Sequence, residues 1–152
     1  IRDRSIAVSK IMLGLQEKLS LGNLDALRDW GYAPEYVEAM WLMLQNDSPK
    51  DYVIATNEQH SVREFIEESF KYFGETIEWT GSGIDEKGIL QSSGKEVIEI
   101  NQKYFRPTEV ETLLGDPSIA EKDLGWKPKA KFKDLVRIMV DSDYNHLKNV
   151  KR

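Results

Sequence analysis

The sequence predicts an α/β fold, in which helices and short strands alternate along one domain without internal repeats. Segments with apolar residues at helical spacing are bounded by capping residues, and shorter segments between them alternate in the manner of strands. A further observation is the run "DYVIAT", Asp51–Thr56, which is apolar between polar flanks. Such a run is typical of a strand that is buried on both faces, as in a parallel sheet.

The first predicted helix has Ser5 as its N-cap and continues for about four turns. Its apolar positions at i, i+3, i+4 and i+7 are Val8, Ile11, Met12 and Leu15. The segment "KLSLGN" then predicts a short strand that ends at Gly22. Residues 23–33 have no period, and we expect a loop there.

The second predicted helix begins at Pro34, because proline suits the first helical position, where its missing N–H would be unpaired anyway. Its apolar stripe consists of Val37, Met40, Trp41 and Leu44. A third helix follows the capping box "SVRE" at residues 61–64 and ends at Gly74. Its apolar residues are Phe65, Ile66, Phe70 and Phe73.

Strands are predicted for "TIEW" and "EVIEI", with a flexible connection between Gly81 and Gly94, and a further short strand for "ETLLG". Asp116 and Pro117 predict the start of a short helix that stops at Gly125. The last helix has an apolar face formed by Phe132, Leu135, Val136, Met139 and Val140.

Composition excludes several classes of function. The net charge is -5 with a pI near 5.2 and the basic residues are dispersed, so we expect no nucleic-acid partner. The chain has no cysteine, which is compatible with the cytoplasm, and no apolar run approaches the roughly 18 residues of a membrane span. Because the chain begins "IRDRSIAVSK" without methionine, we also expect it to be a piece of a longer protein.

Most catalytic constellations are missing. The two histidines, His60 and His146, belong to no HExxH motif, so no metal site is predicted. The "GSG" at Gly81 lacks the third glycine of a dinucleotide fingerprint and does not open a helix. The Tyr-x-x-x-Lys spacing at Tyr144 lies on a charged terminal helix and is interpreted as coincidence. The sequence therefore contains no predicted catalytic or cofactor-binding residue.

Two arginine motifs remain as candidates, "RDW" at Arg28 and "RPTE" at Arg106. The planar guanidinium binds phosphate oxygens in a bidentate manner, so two arginines suit a diphosphate. Glu109 is able to accept hydrogen bonds from sugar hydroxyls. The alternative is that Arg28 pairs with Asp29, and Arg106 with Glu109, in ordinary ion pairs.

Three segments carry a resemblance to a known family. They are "LGNLDALRDWGYAPEYVEAMWLMLQND", "VIATNEQHSVREFIE" and "KYFRPTEVETLLGDPSIAEKDLGWKPK". Together they resemble the C-terminal half of the GDP-mannose 4,6-dehydratases, which are extended short-chain dehydrogenases/reductases. The resemblance implies that residues 1–152 are the nucleotide-sugar-binding portion, and that the NADP-binding Rossmann domain, which precedes it in the family, lies outside this chain. It also implies that "DYVIAT" and the helix before it would join the sheet of that domain.

The same resemblance assigns roles to individual residues. It implies that Arg28 and Arg106 contact the diphosphate of GDP, that Glu109 contacts the ribose hydroxyls, and that the loop at Gly22 and Asn23 lies near the nucleotide. Asp29 and Trp30 would brace Arg28. The family's glycine-rich loop and acid–base residues belong to the N-terminal half, so we expect this chain alone to be inactive.

The function implied is that of an NADP-dependent lyase, which converts GDP-mannose to GDP-4-keto-6-deoxymannose on the route to GDP-fucose and works as a dimer or tetramer in the cytoplasm. One alternative is another nucleotide-sugar dehydratase or epimerase of the same superfamily, and binding of GDP against UDP or dTDP would distinguish the two. A second alternative is a non-catalytic nucleotide-binding domain.

Overall fold

The computed structural model describes residues 2–106 and 110–150 and confirms an α/β fold. These residues form helices and short strands in mixed order. The helices are α1 (Arg2–Met12), α2 (Ala33–Leu44), α3 (Val62–Lys71), α4 (Ser118–Leu124) and α5 (Phe132–Val150). The strands are β1 (Leu19–Leu21), β2 (Leu27–Arg28), β3 (His60–Ser61), β4 (Ile77–Thr80), β5 (Lys87–Leu90), β6 (Glu96–Ile100) and β7 (Thr112–Leu113).

The chain divides into two compact units. The first contains residues 1–26, 61–110 and 136–152, and the second contains residues 27–60 and 111–135. Each unit is therefore assembled from segments that are distant in sequence. No helix among the described residues is both long enough and apolar enough to cross a bilayer.

The first unit is built on a mixed sheet with the strand order β1-β6-β5-β4. β1 runs parallel to β6, whereas β5 runs antiparallel to both β4 and β6. The core of this unit comes from α1, α3, β6 and α5. Its fully buried apolar side chains include Val8, Phe65, Ile66, Phe70, Val97, Ile98, Val136 and Val140.

The capping box predicted for α3 is confirmed. The main-chain N–H of Glu64 donates to the Ser61 hydroxyl at 3.1 Å, and the main-chain N–H of Ser61 donates to the Glu64 carboxylate at 2.6 Å. These two bonds satisfy main-chain donors that have no partner within the helix. The start of α3 is therefore set by four consecutive residues.

The core of the second unit is centred on Trp126, the tryptophan of the Leu-Gly-Trp element. Its ring packs with Ala39 of α2 and Ala120 of α4, both of which are fully buried. The indole N–H donates to the main-chain carbonyl of Glu35 at 2.9 Å, and the ring meets Tyr36 edge to face with the centroids 5.9 Å apart. Trp126 thus connects both helices, and its indole N–H finds an acceptor in the first turn of α2.

Several predicted boundaries need correction. α1 begins at Arg2, so Ser5 lies inside the helix and is not its N-cap. Ser5 is buried there, and its hydroxyl donates a hydrogen bond to the carboxylate of Asp143 at 2.6 Å. Asp143 is far away in the sequence, so a local capping rule could not predict this contact. Leu15 lies beyond the end of α1 and is exposed.

Two segments predicted as irregular contain strands. The connection between Gly81 and Gly94 contains β5, and the loop at residues 23–33 contains β2. Glycine and polar residues hide the strand character of both segments in the sequence. β5 is a strand because it pairs with β4 and β6, and β2 is a strand because it lies between β3 and β7 in a second, three-stranded sheet.

Residues 51–56, predicted as a strand that would join a sheet outside this chain, form no regular secondary structure here. Val53 is 55% exposed, while Ala55 and Thr56 are buried. A strand is defined by ladder hydrogen bonds to a neighbour, and no described segment pairs with this one in that way. The apolar run indicated that the segment needs cover but could not supply the partner.

The apolar stripe predicted on α2 is present, but it faces solvent. Val37 is 62% exposed, Met40 and Trp41 are each 59% exposed, and Leu44 is 81% exposed. The opposite face of the helix buries Ala39 against Trp126. α2 is therefore apolar on two faces, of which one is covered. A contiguous exposed face of large apolar side chains favours association.

We expect the isolated chain to self-associate through this stripe. Replacing Trp41 and Leu44 by lysine should lower the apparent mass at high protein concentration without lowering the free energy of unfolding, because neither side chain is part of a core. Sedimentation equilibrium over a range of concentrations measures this. Ile84→Lys is the control, since Ile84 is also an exposed apolar residue, 48% accessible, outside the stripe. Equal self-association of the parent and the double variant would contradict the assignment.

Asn57 gives a second prediction, because its φ is 58° and it is the non-glycine residue with positive φ among those described. In the middle of a helix or strand, glycine lowers the free energy of unfolding by about 0.5–1 kcal/mol relative to alanine. At this position we expect the opposite order, with Asn57→Gly more stable than Asn57→Ala by about 1 kcal/mol. Urea unfolding of both variants measures the difference, and a more stable alanine variant would refute the role of the left-handed backbone.

Candidate functional site

The predicted site residues fall in different parts of the structure. Gly22, Asn23 and Arg106 belong to the first unit, and Arg28 belongs to the second. Glu109 lies outside the described residues. The two arginines therefore belong to different units.

Gly22 follows β1 at a point where the main chain approaches another segment closely. A Cβ atom built on Gly22 would lie 2.1 Å from the carbonyl oxygen of Tyr104, a distance that no side chain tolerates. The neighbouring Asn101 N–H donates to the carbonyl of Leu21 at 2.8 Å and continues the approach. Glycine is needed here because of space, and it lets the turn before Arg106 pack onto the end of β1.

Asn23 holds the main chain of Arg106. Its amide nitrogen donates to the carbonyl of Arg106 at 3.0 Å, and its amide oxygen accepts from the N–H of Arg106 at 2.9 Å. A primary amide has a donor and an acceptor side by side, so it pairs with the N–H and C=O of one residue as a neighbouring strand would. Asn23 therefore acts on Arg106 through the backbone.

Arg28 is the second residue of β2 and pairs in register with Leu113 of the parallel strand β7. Its Nη1 atom donates to the carbonyl of Leu27 at 2.7 Å, and the residue is half-buried. A guanidinium has five N–H donors, so this bond occupies one part of the fork. The strand pairing fixes the direction in which the Arg28 side chain leaves the backbone.

Asp29 accepts hydrogen bonds from distant main-chain groups. The N–H groups of Thr56 and Asn57 donate to its carboxylate at 2.9 and 3.0 Å, and the Thr56 hydroxyl donates at 2.6 Å. The N–H of Gly115 approaches at 3.4 Å. These bonds occupy both carboxylate oxygens of Asp29, and the alternative ion pair of Arg106 with Glu109 lies outside the described residues.

Trp30 is supported by an aromatic stack within the second unit. Its ring lies 6.1 Å from that of Phe132 at an interplanar angle of 24°. Phe132 in turn stacks on His60, with centroids 3.8 Å apart and planes 9° apart. The three rings come from segments far apart in the sequence, and they connect the residue after Asp29 with the start of α5.

Gly31 is required because Tyr36 occupies the space beside it. A Cβ atom on Gly31 would lie 2.3 Å from the Tyr36 ring. Burial raises the pKa of the Tyr36 phenol above its ordinary value, and the carboxylates of Asp29 and Glu35 raise it further. Tyr36 is therefore neutral at physiological pH. The Arg-Asp-Trp-Gly motif is thus fixed at every position after the arginine by a specific contact.

Sequence reasoning missed Thr56 and Asn57 as supports of this motif. The only signal was the polar pair "TN" at the end of the apolar run, and nothing in it pointed to Asp29. The sequence tests His60 only against metal-binding motifs, whereas in the structure its ring stacks on that of Phe132. Within the described part of the chain, no group of three or more His, Cys, Asp or Glu side chains is placed to hold a metal ion.

The arrangement offers two arginines whose main chains are tied down by hydrogen bonds. Backbone rigidity lowers the entropy lost when a flexible side chain binds a ligand. Each guanidinium by itself suits an anion with several oxygen acceptors, such as a diphosphate.

Comparison with known proteins identifies the relatives of the chain. The family model described as GDP-mannose 4,6 dehydratase matches residues 2–139. A GDP-mannose 4,6 dehydratase of Cricetulus griseus is 56% identical over 142 residues, which are 93% of this chain and 38% of that protein. The corresponding protein of Sinorhizobium fredii is 50% identical and is covered to 42% of its length.

Solved structures share the fold at low identity. RMD from Pseudomonas aeruginosa, solved with NADPH, has a TM-score of 0.73 at 17% identity over 95% of this chain and 42% of its own. A dTDP-glucose 4,6-dehydratase from Bacillus anthracis, solved with NAD, has a TM-score of 0.67 at 18% identity, with 95% and 39% covered. The likeness extends across almost all of this chain.

The chain spans about two fifths of the length of the curated relatives it matches. Over that span the match to the family model includes the segments that contain Gly22, Asn23, Arg28 and Arg106. The chain therefore belongs to the GDP-mannose 4,6 dehydratase family.

Proposed function

We propose that this chain is the GDP-sugar-binding portion of an NADP-dependent GDP-mannose 4,6-dehydratase, a lyase that converts GDP-mannose to GDP-4-keto-6-deoxymannose. Membership of the family and an identity of 56% to the Cricetulus griseus relative support the activity. Chemistry at C4, C5 and C6 of the sugar requires groups that this chain does not supply. Its contribution is to bind and orient the nucleotide part of the substrate.

The observation that carries the proposal is the paired hydrogen bonding of Asn23 with the main chain of Arg106. The asparagine side chain binds both the N–H and the C=O of Arg106, and so fixes the backbone from which the Arg106 side chain extends. We assign Arg106 and Arg28 to the diphosphate of GDP, and Glu109 to the ribose hydroxyls. Gly22 and Asn23 shape the loop on the nucleotide side.

The glycine motif at residues 81–83 does not fit the loop that binds a dinucleotide cofactor. The glycines at Gly81 and Gly83 lead into a single turn of 3-10 helix, Gly83–Asp85, and not into the N-terminus of an α-helix. A pyrophosphate is held where a glycine-rich loop opens a helix. We therefore place NADP and the catalytic groups in the portion of the protein that precedes this chain in its relatives.

The proposal includes the setting of the whole protein. We place it in the cytoplasm, as a homo-oligomer, dimer or tetramer, with GDP-mannose as its ligand and no nucleic-acid partner. The acidic balance of the chain, -5, disfavours binding to nucleic acid. GDP should bind more tightly than UDP or dTDP, which separates this activity from other nucleotide-sugar dehydratases and epimerases.

Because we place NADP and the catalytic groups outside this chain, we predict that the isolated chain is inactive and that a chimera supplying the missing part is active. The chimera joins the N-terminal part of the Cricetulus griseus relative to this chain, and it should convert GDP-mannose with NADP bound. Chromatographic detection of the 4-keto-6-deoxy product measures turnover. Turnover by the rigorously purified isolated chain would contradict the placement of the catalytic groups, and a folded but inactive chimera would contradict the activity.

The arginines predict a loss of nucleotide affinity. In the chimera, Arg28→Ala or Arg106→Ala should weaken GDP binding by about ten- to a hundredfold, because each removes charge-assisted hydrogen bonds worth about 1.5–3 kcal/mol. Lysine should restore part of the affinity, since it keeps the charge but loses the fork. Calorimetric titration measures both.

Arg137→Ala is the matched control, because Arg137 is an exposed arginine on α5 with no proposed ligand role. It should leave the affinity for GDP unchanged. Affinities within about twofold of the parent for both alanine variants at Arg28 and Arg106, a difference under about 0.5 kcal/mol, would refute the assignment.

A further inference from the structure

The carboxylate of Asp29 is surrounded by donors from two other segments of the second unit. Oδ1 accepts from the N–H of Thr56 at 2.9 Å and from the Thr56 hydroxyl at 2.6 Å. Oδ2 accepts from the N–H of Asn57 at 3.0 Å, and from Gly115 at the longer distance of 3.4 Å. Hydrogen bonds to an ionised acceptor are about twice as strong as neutral ones.

The donors at Thr56 and Asn57 form an anion-binding arrangement. Two successive main-chain N–H groups converge on one carboxylate, and the left-handed backbone of Asn57, with φ 58°, accompanies this convergence. Concave main-chain surfaces of this kind bind anions in proteins. Here the anion is a side chain of the protein itself, so the arrangement fastens the chain and is not open to a ligand.

Arg28 lies immediately before this fastened residue. Its own backbone pairs with Leu113 of β7, and Gly115, which follows Leu113 by two residues, also donates to Asp29. β2 is the middle strand of the sheet β3-β2-β7, but each of these strands is only two residues long, so their ladders contribute few hydrogen bonds. The bonds to Asp29 therefore add substantially to the contacts that hold the peptide carrying the Arg28 side chain.

We propose that Asp29 is a positioning residue for diphosphate recognition, which it assists by fixing the main chain of Arg28 against residues 56–57 and 115. The proposal rests on the proposed function, in which Arg28 binds the diphosphate. Asp29 itself touches no ligand. Its effect on affinity passes entirely through the arginine beside it.

The sign of the effect distinguishes positioning from simple charge. Asp29 is an anion next to a proposed phosphate-binding arginine, so removal of its charge alone would strengthen GDP binding by reducing repulsion. Loss of the hydrogen bonds that fix Arg28 acts in the opposite direction, because the arginine must then be ordered when the ligand binds. Positioning thus requires that Asp29→Asn weaken GDP binding.

The test is a double-mutant cycle with Asp29→Asn and Arg28→Ala, measured by calorimetric titration of GDP into the isolated chain and, in parallel, into the chimera. Asp29→Asn should weaken binding by about tenfold in the presence of Arg28 and by less than about twofold once Arg28 is alanine. A residue that only stabilises the fold would give the same penalty in both backgrounds.

Two further variants keep the test decisive if Asp29→Asn folds poorly. Thr56→Val removes the hydroxyl bond to Asp29 but keeps the main-chain N–H. It should lower GDP affinity less than Asp29→Asn does, and it should have no effect when Arg28 is replaced by alanine. Glu35→Gln is the matched control, because Glu35 also accepts main-chain hydrogen bonds, from Lys129 at 3.2 Å and Ala130 at 3.0 Å, but does not adjoin an arginine of the site. It should leave GDP affinity unchanged.

Each outcome decides between the proposals. Suppose that Arg28→Ala weakens GDP binding, while the Asp29 and Thr56 variants leave GDP affinity unchanged, raise it, or lower it equally with and without Arg28. The positioning role is then refuted, and the assignment of Arg28 to the diphosphate stands. If Arg28→Ala has no effect, or if neither protein binds GDP, both proposals are refuted. Loss of affinity in the single variants without further loss in the double variants supports both.

Discussion

The carboxylate of Asp29 joins the end of β2 to residues 56–57, which belong to no strand, and to Gly115, which lies just beyond β7. β2 and β7 contribute two residues each, and residues 51–56 form no strand at all. The strands of this unit are short, so few backbone hydrogen bonds of the ladder type hold its segments together. Charge-assisted hydrogen bonds from the main-chain N–H groups of Thr56 and Asn57 to the carboxylate of Asp29 supplement them. This interaction, together with the pairing of β2 in the sheet β3-β2-β7, holds the peptide that carries Arg28.

The first unit uses a similar device with a neutral group. Asn23 pairs with the peptide of Arg106, and Gly22 allows the close approach that brings the two segments together. Both arginines therefore sit on short or irregular backbone that a small polar side chain immobilises. Binding residues are often carried by loops on a rigid scaffold. In this chain the rigidity comes from individual side chains as much as from the scaffold.

α2 shows how one helix serves two environments. Its face toward Trp126 is covered by α4, and its other face exposes four large apolar residues. A helix that is apolar on both faces is the form expected of an element packed on both sides. The chain covers about two fifths of its relatives, so the character of α2 agrees with an element of a larger fold. The hydrogen bond from Trp126 to the carbonyl of Glu35 fixes its covered side.

The sequence by itself determined the elements whose signals lie within a few residues. The capping box defined the start of α3, Pro34 marked the start of α2, and Gly125, with φ 65°, ended α4. These signals are reliable because a cap or a proline acts on main-chain groups three or four residues away. The quoted motifs also identified the family. Only the tertiary structure decided which residues support the arginines, since Asp29 meets Thr56 27 positions away and Asn23 meets Arg106 83 positions away. The same reason explains β5 and the unpaired run at residues 51–56: a strand exists through its partner, and no local pattern encodes where that partner lies.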